Sequence, residues 1–127
     1  MNRVILFTLL LTFTVIAKAE QVVAVSCPGQ AKSWLPKAKI DRVGALAGTG
    51  DFLPIIEHSE KINARSLYKI NGTVRGADYL AAVIWSASLN KLGVNCYPEI
   101  QNIYKTYTGK ELTGYYVEAV KAGLKRD

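Results

Sequence analysis

Apolar positions recur at helical spacing through the second half of the chain and in shorter, interrupted runs through the first. Tyr79-Leu80-Ala81-Ala82-Val83-Ile84-Trp85 is apolar nearly all round, which predicts a helix in the middle of the fold. Asp78 is read as its N-cap and Leu92 as its end. Gly93 supplies the left-handed residue beyond, and Val94 packs back on the last turn. Pro98 opens the next helix, where Ile100, Ile103, Tyr104 and Tyr107 recur at i, i+3, i+4 and i+7. Thr108 and Glu111 have the spacing of a capping box for a last helix, in which Leu112, Tyr116, Ala119 and Gly123 share a face. Lys121, Lys125 and Arg126 suit its C-terminus.

Nearer the start, residues 20–33 hold a short apolar run and then Pro28-Gly29, read as an extended arm and a turn. Pro36 fits the first turn of a helix running to about Ala47, with Gly48-Thr49-Gly50 ending it. Asp51 is the expected N-cap of a second helix from Phe52 to about Ile62, with Pro54 harmless in its first turn. Residues 63–76 admit two readings. Asn71-Gly72 between Leu67-Tyr68-Lys69-Ile70 and Thr73-Val74-Arg75 is a hairpin signal, and a helix broken at Asn71-Gly72 fits equally. Together these elements predict an all-α fold: a bundle of four to five short helices closed by one disulfide, with a short hairpin near 67–75 left open.

The first 19 residues change the picture. Met1-Asn2-Arg3 is a short basic start, Val4 to Ile16 is almost wholly apolar, and Ala17-Lys18-Ala19 places small residues where signal peptidase cuts. An apolar run of 13 residues is shorter than the roughly 20 needed to span a bilayer. A cleavable signal peptide over residues 1–19 is therefore expected, followed by one domain over 20–127 in the periplasm or outside the cell. Ala24-Val25-Ser26-Cys27 only loosely imitates a lipid-attachment site, because Lys18, Glu20 and Gln21 interrupt the approach to it. Loss of Arg3 and Lys18 lowers the net charge from +6 to near +4, which suits an acidic partner surface. No basic run exceeds two residues, so nucleic acid is not expected as a partner. Cys27 and Cys96, an even pair in a small exported domain, are read as one disulfide closing a loop of about 70 residues, worth on the order of 4 kcal/mol.

Candidate chemistry is sparse. His58 is the only histidine, flanked by Glu57 and Glu60, and neighbouring helical residues point in different directions, so a solvated surface histidine is expected. With both cysteines paired, no tetrahedral metal set can be assembled, and no nucleophile elbow or phosphate loop occurs. No enzymatic activity, metal or cofactor is expected. Asn71-Gly72-Thr73 is an N-glycosylation sequon, relevant only to a eukaryotic chain. Tyr79, Tyr104, Tyr107, Tyr115 and Tyr116 stand on the helix faces with Trp34 and Trp85; Tyr115 and Tyr116 cannot both point inward, which places one at a rim or an interface.

The segment from Gly50 to Leu124 resembles the Rap/Tai-type family of periplasmic immunity proteins. It does so at Asp51-Phe52-Leu53-Pro54-Ile55-Ile56-Glu57, Gly72-Thr73-Val74-Arg75-Gly76-Ala77-Asp78, Cys96-Tyr97-Pro98 and the closing helix Tyr116 to Leu124. The family's cysteines near Ile56 and around Tyr68-Lys69 are missing, and the usual C-terminal partner of Cys96 is replaced by Lys125-Arg126-Asp127. The resemblance implies a small helical protein that sterically blocks a secreted peptidoglycan amidase, with a homodimer compatible with the family. Two surfaces are then expected to meet the partner. One is the 63–75 connection, offering Arg65, Lys69 and Arg75 to an acidic rim. The other is the 93–97 turn, with Val94, Asn95 and Tyr97 stiffened by the disulfide at Cys96. A small acid-stress-type periplasmic chaperone is the rival class, and an enzyme using Cys27 or His58 the third.

Overall fold

The computed structural model describes residues 20–125. The leader expected over residues 1–19 lies outside the described residues, as does Arg126. Five helices and two antiparallel hairpins make up the rest, so the fold is mixed α/β, not all-α. In chain order, β1 (Val22–Val25) and β2 (Ser33–Pro36) are followed by α1 (Lys37–Ala45) and α2 (Leu53–His58). Then come β3 (Leu67–Ile70), β4 (Thr73–Gly76), α3 (Ala77–Leu92), α4 (Tyr97–Thr108) and α5 (Gly114–Leu124).

The first correction lies at the N-terminus. The expected extended arm is β1, and it pairs with β2, with Val22 opposite Pro36 and Val25 opposite Ser33. Pro36 consequently ends a strand instead of opening a helix; its ψ of 117° is extended, and α1 begins one residue later. The fixed φ of proline suits both settings, so the choice was made by pairing with β1. The 63–76 segment takes the hairpin, one of its two expected readings. Asn71 and Gly72 have φ of 51° and 81°, the left-handed pair of a type I′ turn, and β3 and β4 run on either side with Ile70 opposite Thr73.

α3 runs through the centre, as its all-round apolar pattern predicts. Tyr79, Ala81, Ala82, Val83, Trp85 and Leu89 are buried on it. Trp85 has no exposed surface, and its indole N–H donates to the Val43 carbonyl at 2.7 Å, tying α1 to α3. Phe52 is the second anchor. Its ring lies 5.3 Å from Trp85, 5.7 Å from Tyr104 and 5.1 Å from Tyr116, centroid to centroid. Its backbone is left-handed, with φ of 59°, a conformation costly for a residue with a Cβ and held here by the buried ring.

Three helix starts depart from expectation. α2 is six residues long and ends at His58, well short of Ile62. Its N-cap is Phe52; Asp51 Oδ1 still accepts the Leu53 N–H at 3.1 Å, acting one residue outside the expected place. Gly76, not Asp78, is the N-cap of α3. The Thr108–Glu111 capping box does not form. Thr108 Oγ1 donates back to the Tyr104 carbonyl at 2.7 Å, Gly109 ends α4 in a left-handed conformation, and α5 starts only at Gly114. The hydroxyl bonds its own helix instead of capping the next.

Candidate partner-binding surfaces

The second hairpin sorts its residues by strand parity. Tyr68 is opposite Arg75 and Ile70 opposite Thr73, and this face turns toward the helices, with Ile70 buried. Leu67, Lys69 and Val74 occupy the other face, where Leu67 is 72% and Val74 58% exposed. Two large apolar side chains thus flank a lysine on the outside of a short, tightly turned hairpin. Arg65, also exposed, stands just before β3, where its amide donates to Asn63 Oδ1 at 2.9 Å.

Arg75 does not join Arg65 and Lys69. It lies on the inward face, where its guanidinium stacks 4.9 Å from the Tyr79 ring and 5.9 Å from that of Tyr115. Nη2 donates to Glu118 Oε1 at 2.8 Å, and Nε is buried without a partner. The expected basic trio is therefore a pair plus a clamp. Arg75 fastens the hairpin to α3 and α5, while Lys69 and Arg65 face solvent.

A groove of about 380 Å³ runs beside this hairpin between Leu53, Arg65, Leu67, Asp78 and Tyr116. Tyr115 and Tyr116 both donate to Asp78, at 3.3 and 3.1 Å, which joins the start of α5 to the start of α3. Burial first, then the Asp78 charge, raises the pKa of both phenols. Both hydroxyls reach the same carboxylate although Tyr115 is the more exposed ring, as the adjacency of the two tyrosines required.

The 93–97 turn is built differently from expectation. Gly93 takes φ of 111°, and the Val94 amide donates to the Leu89 carbonyl at 3.0 Å, as the C-cap reading predicts. That same packing leaves Val94 0% exposed, so its side chain is core and no part of a contact surface. Asn95 is exposed, with Oδ1 3.4 Å from Cys27 Sγ, and Tyr97 is half-buried beneath Lys121, whose Nζ lies 5.1 Å from the ring. Cys27 and Cys96 are joined, with Cα atoms 5.7 Å apart. The disulfide leaves Cys27 with no thiolate for nucleophilic chemistry. His58 is exposed at the end of α2. Among the described residues no three His, Cys, Asp or Glu side chains converge as metal ligands, and no helix is long and apolar enough to cross a membrane.

Leu67 and Val74 were not singled out from the sequence. A reading of the Asn71-Gly72 hairpin carried through to its faces finds them, since period-two alternation puts both on the face away from Ile70. Comparison with protein-family models, curated proteins and solved structures finds no match to this chain.

Proposed function

We propose that this chain is an exported, non-enzymatic binding protein, an immunity protein whose second hairpin enters the cleft of a peptidoglycan amidase and blocks it sterically. The observation that carries the reading is the outward face of that hairpin. Leu67 and Val74 expose apolar surface beside Lys69, while the opposite face is clamped through Arg75. An exposed apolar pair on a rigid element is the arrangement an interface core needs, because little ordering entropy is lost on binding. Arg65 and Lys69 would steer association with an acidic rim. The resemblance over Gly50 to Leu124 supports the amidase as the target class, and the leader and the disulfide support an oxidising compartment.

The test is capture of envelope and secreted proteins by the purified chain and by its Leu67→Asp/Val74→Asp variant. A single peptidoglycan hydrolase retained by the parent and lost by the variant supports the reading. Equal retention by both removes the hairpin from it.

A further inference from the structure

In the first hairpin the outer edge of β1 is open. The Lys37 N–H donates to the Gln21 carbonyl at 2.9 Å, which fixes the phase of the ladder. Val23 with Leu35 and Val25 with Ser33 are then hydrogen-bonded pairs, whereas Val22 with Pro36 and Ala24 with Trp34 are not. In the latter pairs the amide and carbonyl point away from the partner strand. Those of Ala24 therefore stand on the free edge of β1, and no described residue bonds to them. On the free edge of β2 the outward positions are Trp34, opposite Ala24, and Pro36, opposite Val22; Pro36 has no N–H to offer, which leaves Trp34 as the outward donor there. β1 has no such guard.

Beside β1 lies a groove of about 180 Å³, bordered by Val23, Ala24 and Val25 and by Ile40, Glu99 and Ile103 of the helices. No residue of β2 borders it, so the groove lies on the side of β1 away from its partner strand. The groove wall is apolar at Ile40 and Ile103 and carries the carboxylates of Glu99 and Asp41. Glu99 is in no ion pair among the described residues, and Asp41 holds Lys37 and the Tyr107 hydroxyl. Glu99 thus leaves one unpaired carboxylate in this groove, in a chain of net charge +6.

We propose that this groove is a strand-addition site for an extended, basic peptide segment of a protein partner. The segment lies along β1 and exchanges main-chain hydrogen bonds with Ala24. One branched apolar side chain seats against Ile40 and Ile103, and a lysine or arginine stands beside Glu99 and Asp41. The site is separate from the second hairpin, and neither assignment depends on the other.

The probe is the capped peptide acetyl-Lys-Val-Thr-Val-Lys-amide, titrated into ¹⁵N-labelled protein. The expected result is saturable movement of the Ala24 amide resonance, with its hydrogen exchange slowed about tenfold or more at saturation. Ala24→Pro removes the edge donor while leaving every hydrogen bond to β2 in place, so it should abolish binding at an unchanged melting temperature. Should that variant fold poorly, Ile103→Lys replaces it, filling the apolar seat with a like charge to the peptide and again abolishing binding. Glu99→Gln should weaken binding about threefold and flatten its salt dependence. No movement of the Ala24 amide at millimolar peptide overturns the proposal, as does undiminished binding to a folded Ala24→Pro or Ile103→Lys variant. Shifts confined to residues 67–76 overturn it too, by placing the peptide on the other hairpin.

Discussion

Gly123 of α5 meets Ser86 of α3 with no room for a methyl group between them. A Cβ at Gly123 would stand 1.8 Å from Ser86 Oγ and 2.4 Å from the Val83 carbonyl oxygen. Ser86 is fully buried and donates to that same carbonyl at 3.1 Å, so neither neighbour can move away without losing a buried hydrogen bond. Gly123→Ala gains about 1 kcal/mol of helix propensity. Overpacking should outweigh it, for a net loss of about 2 kcal/mol. Thermal unfolding checks this: a fall of about 10 °C is expected, and an unchanged or raised midpoint would show that the helices separate freely.

The disulfide should matter more than any single contact. Its cysteines are 69 residues apart in sequence, and it anchors the turn after β1 to the start of α4. In the chain-entropy account a loop of that length restricts the unfolded state by on the order of 4 kcal/mol. Cys27→Ser/Cys96→Ser should therefore shift the urea midpoint to lower concentration, with a somewhat steeper slope because the unbridged unfolded chain exposes more surface. A shift under about 1 kcal/mol would mean that the first hairpin holds without the bridge.

Arg75 and Lys69 are separated by strand parity, and their substitutions should separate likewise. Arg75→Ala removes a stacked guanidinium and its bond to Glu118, both partly exposed, at about 1 kcal/mol. Lys69→Ala should leave stability within about 0.5 kcal/mol. Urea unfolding of the two variants decides, and equal effects would contradict the clamp.

Tyrosine ionisation should destabilise the fold at high pH. Burial, then the hydrogen bond to Asp41, pushes the Tyr107 phenol up to about 12. Burial raises Tyr79, Tyr97, Tyr104, Tyr115 and Tyr116 as well. A phenol that ionises near 10 unfolded and higher when folded keeps its proton longer in the folded state. Its stabilising contribution is complete below pH 10 and is lost as pH rises through the folded value. Absorbance titration of phenolate should lag that of the chain in denaturant until the fold gives way. Asp41 works at the other end. The hydrogen bond from Lys37, then that from Tyr107, lowers its pKa, so its contribution is present above the ordinary carboxylate range and lost as pH falls through the folded value. Asp41→Asn should remove that part of the acid dependence.

The parts of this fold legible in the sequence are those whose local signals agree with their packing. α3 has an apolar pattern on every side and a glycine at its end; α4 has Pro98 in its first turn and an apolar stripe. The second hairpin was legible as one of two readings because Asn71 and Gly72 favour the left-handed turn it needs. The first hairpin was not. Seven residues separate β1 from β2, and Pro36 carries a signal that fits a helix start as well as a strand end. α2 stops early because Ser59 and Asn63 turn the chain with their own side chains, taking the amides of Lys61 and Arg65. The contact surface was half legible: charge pointed to Arg65 and Lys69, but only the register reveals that Arg75 faces inward and that Leu67 and Val74 face out.

The central claim is inhibition through the second hairpin. The measurement is amidase activity on purified peptidoglycan, using the hydrolase recovered by capture, titrated with the parent chain and with the Leu67→Asp/Val74→Asp variant. The account predicts that activity vanishes at one equivalent of the parent and persists with the variant. Full activity in a saturating excess of the parent chain would contradict it.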